Sequence, residues 1–190
     1  MFKKVALVLA AAIGLAAVGY ASMAMTVVMR SDPGTVLTMN ASDRLPLTAR
    51  VMAELRVQSW DGCPPSDRNV SALGQTLRGY GLEGFDNERV LETAHHLISL
   101  GCDVNEAGAT GQAPIHEAIL YNETEVVRFL LANGANPAVK ITVPSTNSSE
   151  SLQHYDGMTA MQFALELDNR AGGKAAPRSE IVLLLQRHSS

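Results

Sequence analysis

Two segments of this chain carry the same phrase in the same register. Leu97-Ile-Ser-Leu-Gly-Cys-Asp103 and Leu130-Leu-Ala-Asn-Gly-Ala-Asn136 align with their glycines 33 residues apart. Ahead of the second stand Gly111-Gln-Ala-Pro-Ile-His-Glu-Ala118 and the apolar run Glu125-Val-Val-Arg-Phe-Leu-Leu131. Pro114 suits a first helical position, where its missing N–H has no intrahelical partner to lose. Ile115, Ala118 and Ile119 then recur at i, i+3 and i+4, a narrow apolar stripe whose alanine lets a neighbour approach. Val126, Val127, Leu130 and Leu131 give the next helix a wider apolar face. Gly134 ends it in the left-handed backbone that glycine adopts without penalty. Such a helical hairpin cannot bury both of its faces alone, so copies of it must stack.

A third copy follows. Gly157-Met-Thr-Ala-Met-Gln-Phe-Ala164 repeats the opening and Glu180-Ile-Val-Leu-Leu-Leu185 the second helix. A 33-residue period with a T-P-L-H-x-A opening marks ankyrin repeats, and residues 87–190 resemble that family. Ala113-Pro-Ile-His-Glu-Ala118 is the best match, with alanine in place of threonine; Thr159–Ala164 lacks both the proline and the histidine. The first repeat retains only its second helix and the Gly101–Asn105 turn. The resemblance implies an all-α ankyrin-repeat solenoid of helix-turn-helix repeats joined by hairpin loops, about three in number, the first and last atypical. It also implies a structural His116, bonded to backbone between repeats.

The N-terminal 86 residues match no repeat. Lys3 and Lys4 precede a stretch from Val5 to Met29 with no charged residue, so residues 1–30 read as a signal peptide or a membrane anchor. Either way the basic end stays inside and the body is exported, to the periplasm of a bacterium. Residues 31–40, around Asp32-Pro33-Gly34, read as a linker or as the turn of a short hairpin between Thr26–Arg30 and Thr35–Met39. Residues 41–86 read as a helical N-terminal cap, with helical spacing at Leu47, Val51 and Leu55 and again at Val70, Leu73 and Leu77, and with Trp60 as its packing centre. A solenoid needs such an atypical end to shield its first repeat.

Little in the chain points to catalysis. No HExxH, GxSxG, phosphate-binding loop or dinucleotide loop occurs, and adjacent His95 and His96 point about 100° apart on a helix. No catalytic residue, metal site or cofactor is expected. The formal charge of −4 argues against nucleic acid and favours a basic protein surface as partner. On the resemblance, partners dock on the hairpin tips and first helices. That assigns partner binding to Thr110, Gln112, Leu120 and Tyr121 in the second repeat, and to Tyr155, Asp156 and Met158 in the third. The expected function is a non-enzymatic protein-binding module of the cell envelope: an inhibitor or immunity protein for a toxin or exported enzyme, or alternatively an accessory or scaffold for one. Membrane contact would be through the N-terminal segment alone. Two polar insertions, at 141–155 and 168–178, interrupt the repeats, and the first lies on the hairpin side. Cys63 and Cys102 have no metal-ligand spacing; in an oxidising compartment they are candidates for a disulfide that staples cap to solenoid.

Export is directly measurable. The first 40 residues, fused to a reporter active only outside the cytoplasm, should give signal; activity confined to a cytoplasmic reporter would refute it.

Overall fold

The computed structural model describes residues 2–65, 70–145, 150–174 and 176–188, with side chains from Gly14 onward except at 150 and 151. In chain order the helices are α1 (Phe2–Arg30), α2 (Pro33–Ala41), α3 (Leu47–Gln58), α4 (Ala72–Leu77), α5 (Asn87–Ser99), α6 (Pro114–Leu120), α7 (Thr124–Ala132), α8 (Glu150–Gln153), α9 (Ala160–Ala171) and α10 (Ser179–His188). No strand forms among the described residues; Ser42 with Phe85 and Lys140 with Thr159 make isolated bridges. The chain is an all-α ankyrin-type solenoid. Helices α4, α6 and α9 stack in one row; α7 and α10 stack in a second, and α5 pairs with α4.

The periodic apolar positions meet between the rows. Ile115, Ile119, Val127, Leu130, Phe163, Ile181 and Leu185 are all fully buried there. Gly101 and Gly134 end α5 and α7 with φ of +89° and +88°. In both turns the next residue donates back into the helix, Cys102 N–H to the Leu97 carbonyl at 3.0 Å and Ala135 N–H to that of Leu130 at 2.9 Å. The repeated sequence phrase is a repeated helix cap.

Two expectations about helix boundaries are corrected. The hairpin across residues 26–39 does not form, because α1 continues to Arg30 and α2 starts at Pro33. Asp32-Pro33, a turn dipeptide, is also a helix start: the Asp32 carboxylate accepts from the Thr35 N–H at 2.8 Å and proline takes the first turn. Burial of Val28, Val36 and Leu37 against Ala53 and Val57 of α3 then overrides the strand preference of the β-branched residues. The second correction concerns the first repeat, which does have a first helix. It is α4, packed on α5 and α6, and hidden in the sequence because residues 78–86 link it to α5 where 121–123 suffice in the next repeat.

Helices α1, α2 and α3 pack beside this end of the stack around Val36, Leu37 and Val57, with half-buried Trp60 at the margin rather than the centre. Among residues whose side chains are described, no helix is long and apolar enough to cross a membrane; the side chains of the leader from Val5 to Ile13 lie outside that set. Cys63 and Cys102 form a disulfide with Cα atoms 4.9 Å apart across a sequence separation of 39. Closing a loop of that length stabilises by roughly 4 kcal/mol in the chain-entropy model.

Both insertions are tied down at their ends. Around the first, Ile141 N–H donates to the Met158 carbonyl at 2.9 Å and Gly157 N–H to that of Ile141 at 2.8 Å; residues 146–149 within it lie outside the described residues. The second ends in Arg178, which is buried. Its Nε donates to the Ile119 carbonyl at 2.7 Å and Nη2 to that of Leu120 at 3.1 Å, while Nη1 meets Asp168 Oδ1 at 2.9 Å. One guanidinium thus satisfies the open C-terminal carbonyls of α6 from the third repeat. Arg178→Ala should destabilise by about 3 kcal/mol, since it strands a carboxylate and two carbonyls, and Arg178→Lys should recover little because the planar fork is lost. A loss below about 1 kcal/mol in urea melts would refute this capping role.

Candidate functional site

His116 belongs to the architecture. It is fully buried; its Nδ1 accepts the Ala113 N–H at 3.2 Å, supplying a helix-start bond that alanine cannot. Nδ1 as acceptor puts the proton on Nε2, which lies near the Val139 backbone without closing a full hydrogen bond. The ring meets Phe163 edge-on, centroids 6.0 Å apart. Burial pushes its pKa down to about 4, opposed in part by the Val139 backbone. In the third repeat Thr159 and Gln162 do the same work by a capping box. Among the described residues no His, Cys, Asp or Glu cluster could hold a metal ion.

A cleft of about 360 Å³ lies between α4 and α6, closed on one side by the 78–86 link and on another by the start of α7. Leu77, Leu82, Pro114, Ala118 and Val126 give it an apolar lining, with Tyr80 and Tyr121 as its aromatic residues. Leu82 and Tyr121 are exposed, at 55% and 61%. Arg78 and Glu117 bridge the two helices bidentately, Nε to Oε2 at 2.8 Å and Nη2 to Oε1 at 2.5 Å. The hydrogen bond to Glu117 raises the Arg78 pKa against the cost of burial. Each charge therefore cancels the other, and the pair ties α4 to α6.

The seven residues expected to bind a partner fall into two places. Leu120 and Tyr121 end α6, and Tyr121 lines the cleft. The other five gather at the hairpin loops, where the Gly111 carbonyl accepts from Thr142 N–H at 3.0 Å. A Cβ on Gly111 would sit 1.9 Å from the Thr142 carbonyl oxygen, so this close approach requires glycine. Thr110 is half-buried and its hydroxyl donates to Gln112 at 3.3 Å. Gln112 is itself buried. At that burial its side chain belongs to the turn's own packing and is corrected from an exposed docking position. Tyr155 is half-buried, with Phe163 and His154 edge-on at 5.0 and 5.2 Å and Arg170 5.7 Å over its ring. Met158 packs half-buried on the core, and exposed Asp156 accepts Val143 N–H at 2.8 Å. Asp156 and Met158 also edge a shallow groove along α9 with Gln162 and Leu165. Sequence reasoning missed Arg78, Tyr80, Leu82, Glu117 and Glu123 at the cleft; the signal was Leu73 and Leu77 at helical spacing ahead of α5.

Residues 86–187 match the family model described as ankyrin repeats in three copies. The chain belongs to the ankyrin-repeat family. Similar proteins include an ankyrin and IPT/TIG repeat-containing protein of Schizosaccharomyces pombe, 46% identical over 43 residues. That match covers 23% of this chain and 4% of the relative. Another is a candidate E3 ubiquitin-protein ligase of Arabidopsis thaliana, 33% identical over 89 residues, covering 39% of this chain and 24% of the relative. The chain thus spans a minor part of either protein. The ankyrin repeats mark it as a protein–protein interaction module.

His116 gives that ankyrin stack a pH dependence. Its folded pKa, about 4, lies below its ordinary 6.5, so the unfolded chain takes up the proton first. Stability from this residue is full above about 6.5 and falls as pH drops towards about 4, by roughly 3 kcal/mol in all. His116→Gln should flatten that part of the acid limb. Parallel losses for both proteins in urea melts from pH 7 to 4 would mean the ring is not held neutral.

Proposed function

We propose that this protein is exported to an oxidising compartment, the bacterial periplasm, and there binds and inhibits one protein, a toxin or an enzyme. Three features support the reading. The leader pairs two lysines with a long uncharged run. The cysteines are joined to each other, a bond that persists outside reducing cytosol. The binding part of the reading is carried by the cleft between α4 and α6, where a leucine and a tyrosine stand more than half exposed around an apolar floor. Tyrosines in desolvated pockets are among the residues that carry most of the binding energy at protein interfaces.

The test is capture of the partner by the tagged full chain from the envelope fraction, followed by titration with variants. Leu82→Ala and Tyr121→Ala should each weaken binding at least tenfold, about 1.4 kcal/mol or more. Leu183→Ala, exposed on α10 in the other row, should leave it unchanged. Equal binding by all three variants would move the interface off the cleft. An enzyme slowed by the complex supports inhibition; one unchanged or stabilised would make the protein an accessory instead.

A further inference from the structure

Glu123 is the N-cap residue of α7, yet its side chain makes no cap bond. Instead the carboxylate turns to the cleft: an idealised Cβ on Gly81 would lie 2.5 Å from its Oε1, so the 78–86 link passes directly against it. It is half-buried and has no hydrogen bond or ion pair among the described residues. Other described charges near this place are already matched. Arg78 is held by Glu117. Glu125, one position into α7, pairs with Arg128 at 3.4 Å, and on the link Glu83 pairs with Arg44 at 2.6 Å. Among the described residues, the Glu123 carboxylate therefore stands unmatched beside an apolar floor and two tyrosines.

That combination discriminates between occupants. A purely apolar anchor would cover Glu123 and strip its water without replacing it, a cost that rises with burial. An acidic anchor would add repulsion. We propose that the cleft takes a basic side chain of the partner protein, its aliphatic stem on Leu77, Leu82, Ala118 and Val126 and its cation against Glu123. The inference rests on the reading of the cleft as the docking surface and names the chemistry it selects. Long basic side chains suit such a place because the stem buries as a hydrophobe while the head keeps a charge partner. The net charge of −4 acts in the same direction at longer range. Burial already raises the Glu123 pKa, and it raises that of the Tyr80 hydroxyl with the help of Glu125 and Glu123. An arriving cation would relieve both.

The test needs no partner, so it can fail while partner capture succeeds, and the reverse. The full chain is titrated by NMR with acetyl-Gly-Lys-Gly-amide and with the same peptide carrying norleucine or glutamate, following the Gly81 and Tyr121 amides. Lysine should bind saturably and at least tenfold more tightly than norleucine, with glutamate weakest. Glu123→Gln should bring lysine and norleucine together, and Leu82→Ala should weaken both alike. Should Glu123→Gln fail to fold, raised salt on the unmutated chain serves instead, narrowing the lysine advantage. Norleucine matching lysine, or no saturable binding by either, overturns the proposal. Free 1,5-diaminopentane binding more tightly than the lysine peptide would overturn it in favour of a small amine.

Discussion

A two-helix hairpin has more apolar surface than it can cover by folding on itself. Everything else in this protein follows from that constraint. Ile115 and Ile119 on α6 are buried because α4 lies on one side and α9 on the other. Stability in such a stack is carried by neighbour contacts, so whatever fixes one repeat on the next has effects beyond its own atoms. Here several of those fixings are polar and internal. His116 completes the start of α6, Arg178 completes its end from the following repeat, and the Arg78–Glu117 fork holds it to the preceding one. The second repeat is thus clamped on three sides by side chains that an apolar count would not notice. The same polar ties confine it to one register, because a shifted stack would leave buried donors and acceptors unpaired.

The open end of the stack is solved differently. Helices α1, α2 and α3 share no pattern with the repeats, and they meet the solenoid across a second, separate apolar cluster. Leu97 of α5 and Cys102 belong to that cluster, so the repeat end and the cap share buried surface as well as the Cys63–Cys102 bond. Buried Asn40 and Thr93 add a hydrogen bond of 2.8 Å between α2 and α5. A cap without repeat periodicity has only such particular contacts to hold it in place, and a covalent link is most valuable where periodic packing gives out.

The cleft between α4 and α6 is a consequence of irregularity. In the second repeat a three-residue turn joins the helices; in the first, the longer 78–86 link folds back over the helix ends and brings Tyr80, Leu82 and Gly81 against Tyr121 and Glu123. An evenly spaced repeat would have left a plain ridge there. Departures from a repeat pattern are cheap in a solenoid because each unit touches only its neighbours, so they are natural places for specificity to accumulate.

The sequence by itself determined the repeat. Helix starts at Pro114 and Thr159, caps at Gly101 and Gly134, and the apolar faces between them are local properties, set by backbone preferences and by spacing within one or two turns. The ankyrin repeats within residues 86–187 were legible for that reason. It left Thr26–Met39 misread, because Asp-Pro-Gly serves a turn and a helix start equally and only burial on α3 chooses between them. It assigned Gln112 to the surface, because a loop glutamine carries no mark of its burial. Only the tertiary structure decided that α4 is a repeat helix and that Arg178 caps α6 from 58 residues away. Only it, too, placed Glu123 beside an apolar cleft with no counter-charge among the described residues. Those are relations between segments distant in the chain, and no local preference encodes which distant group will arrive.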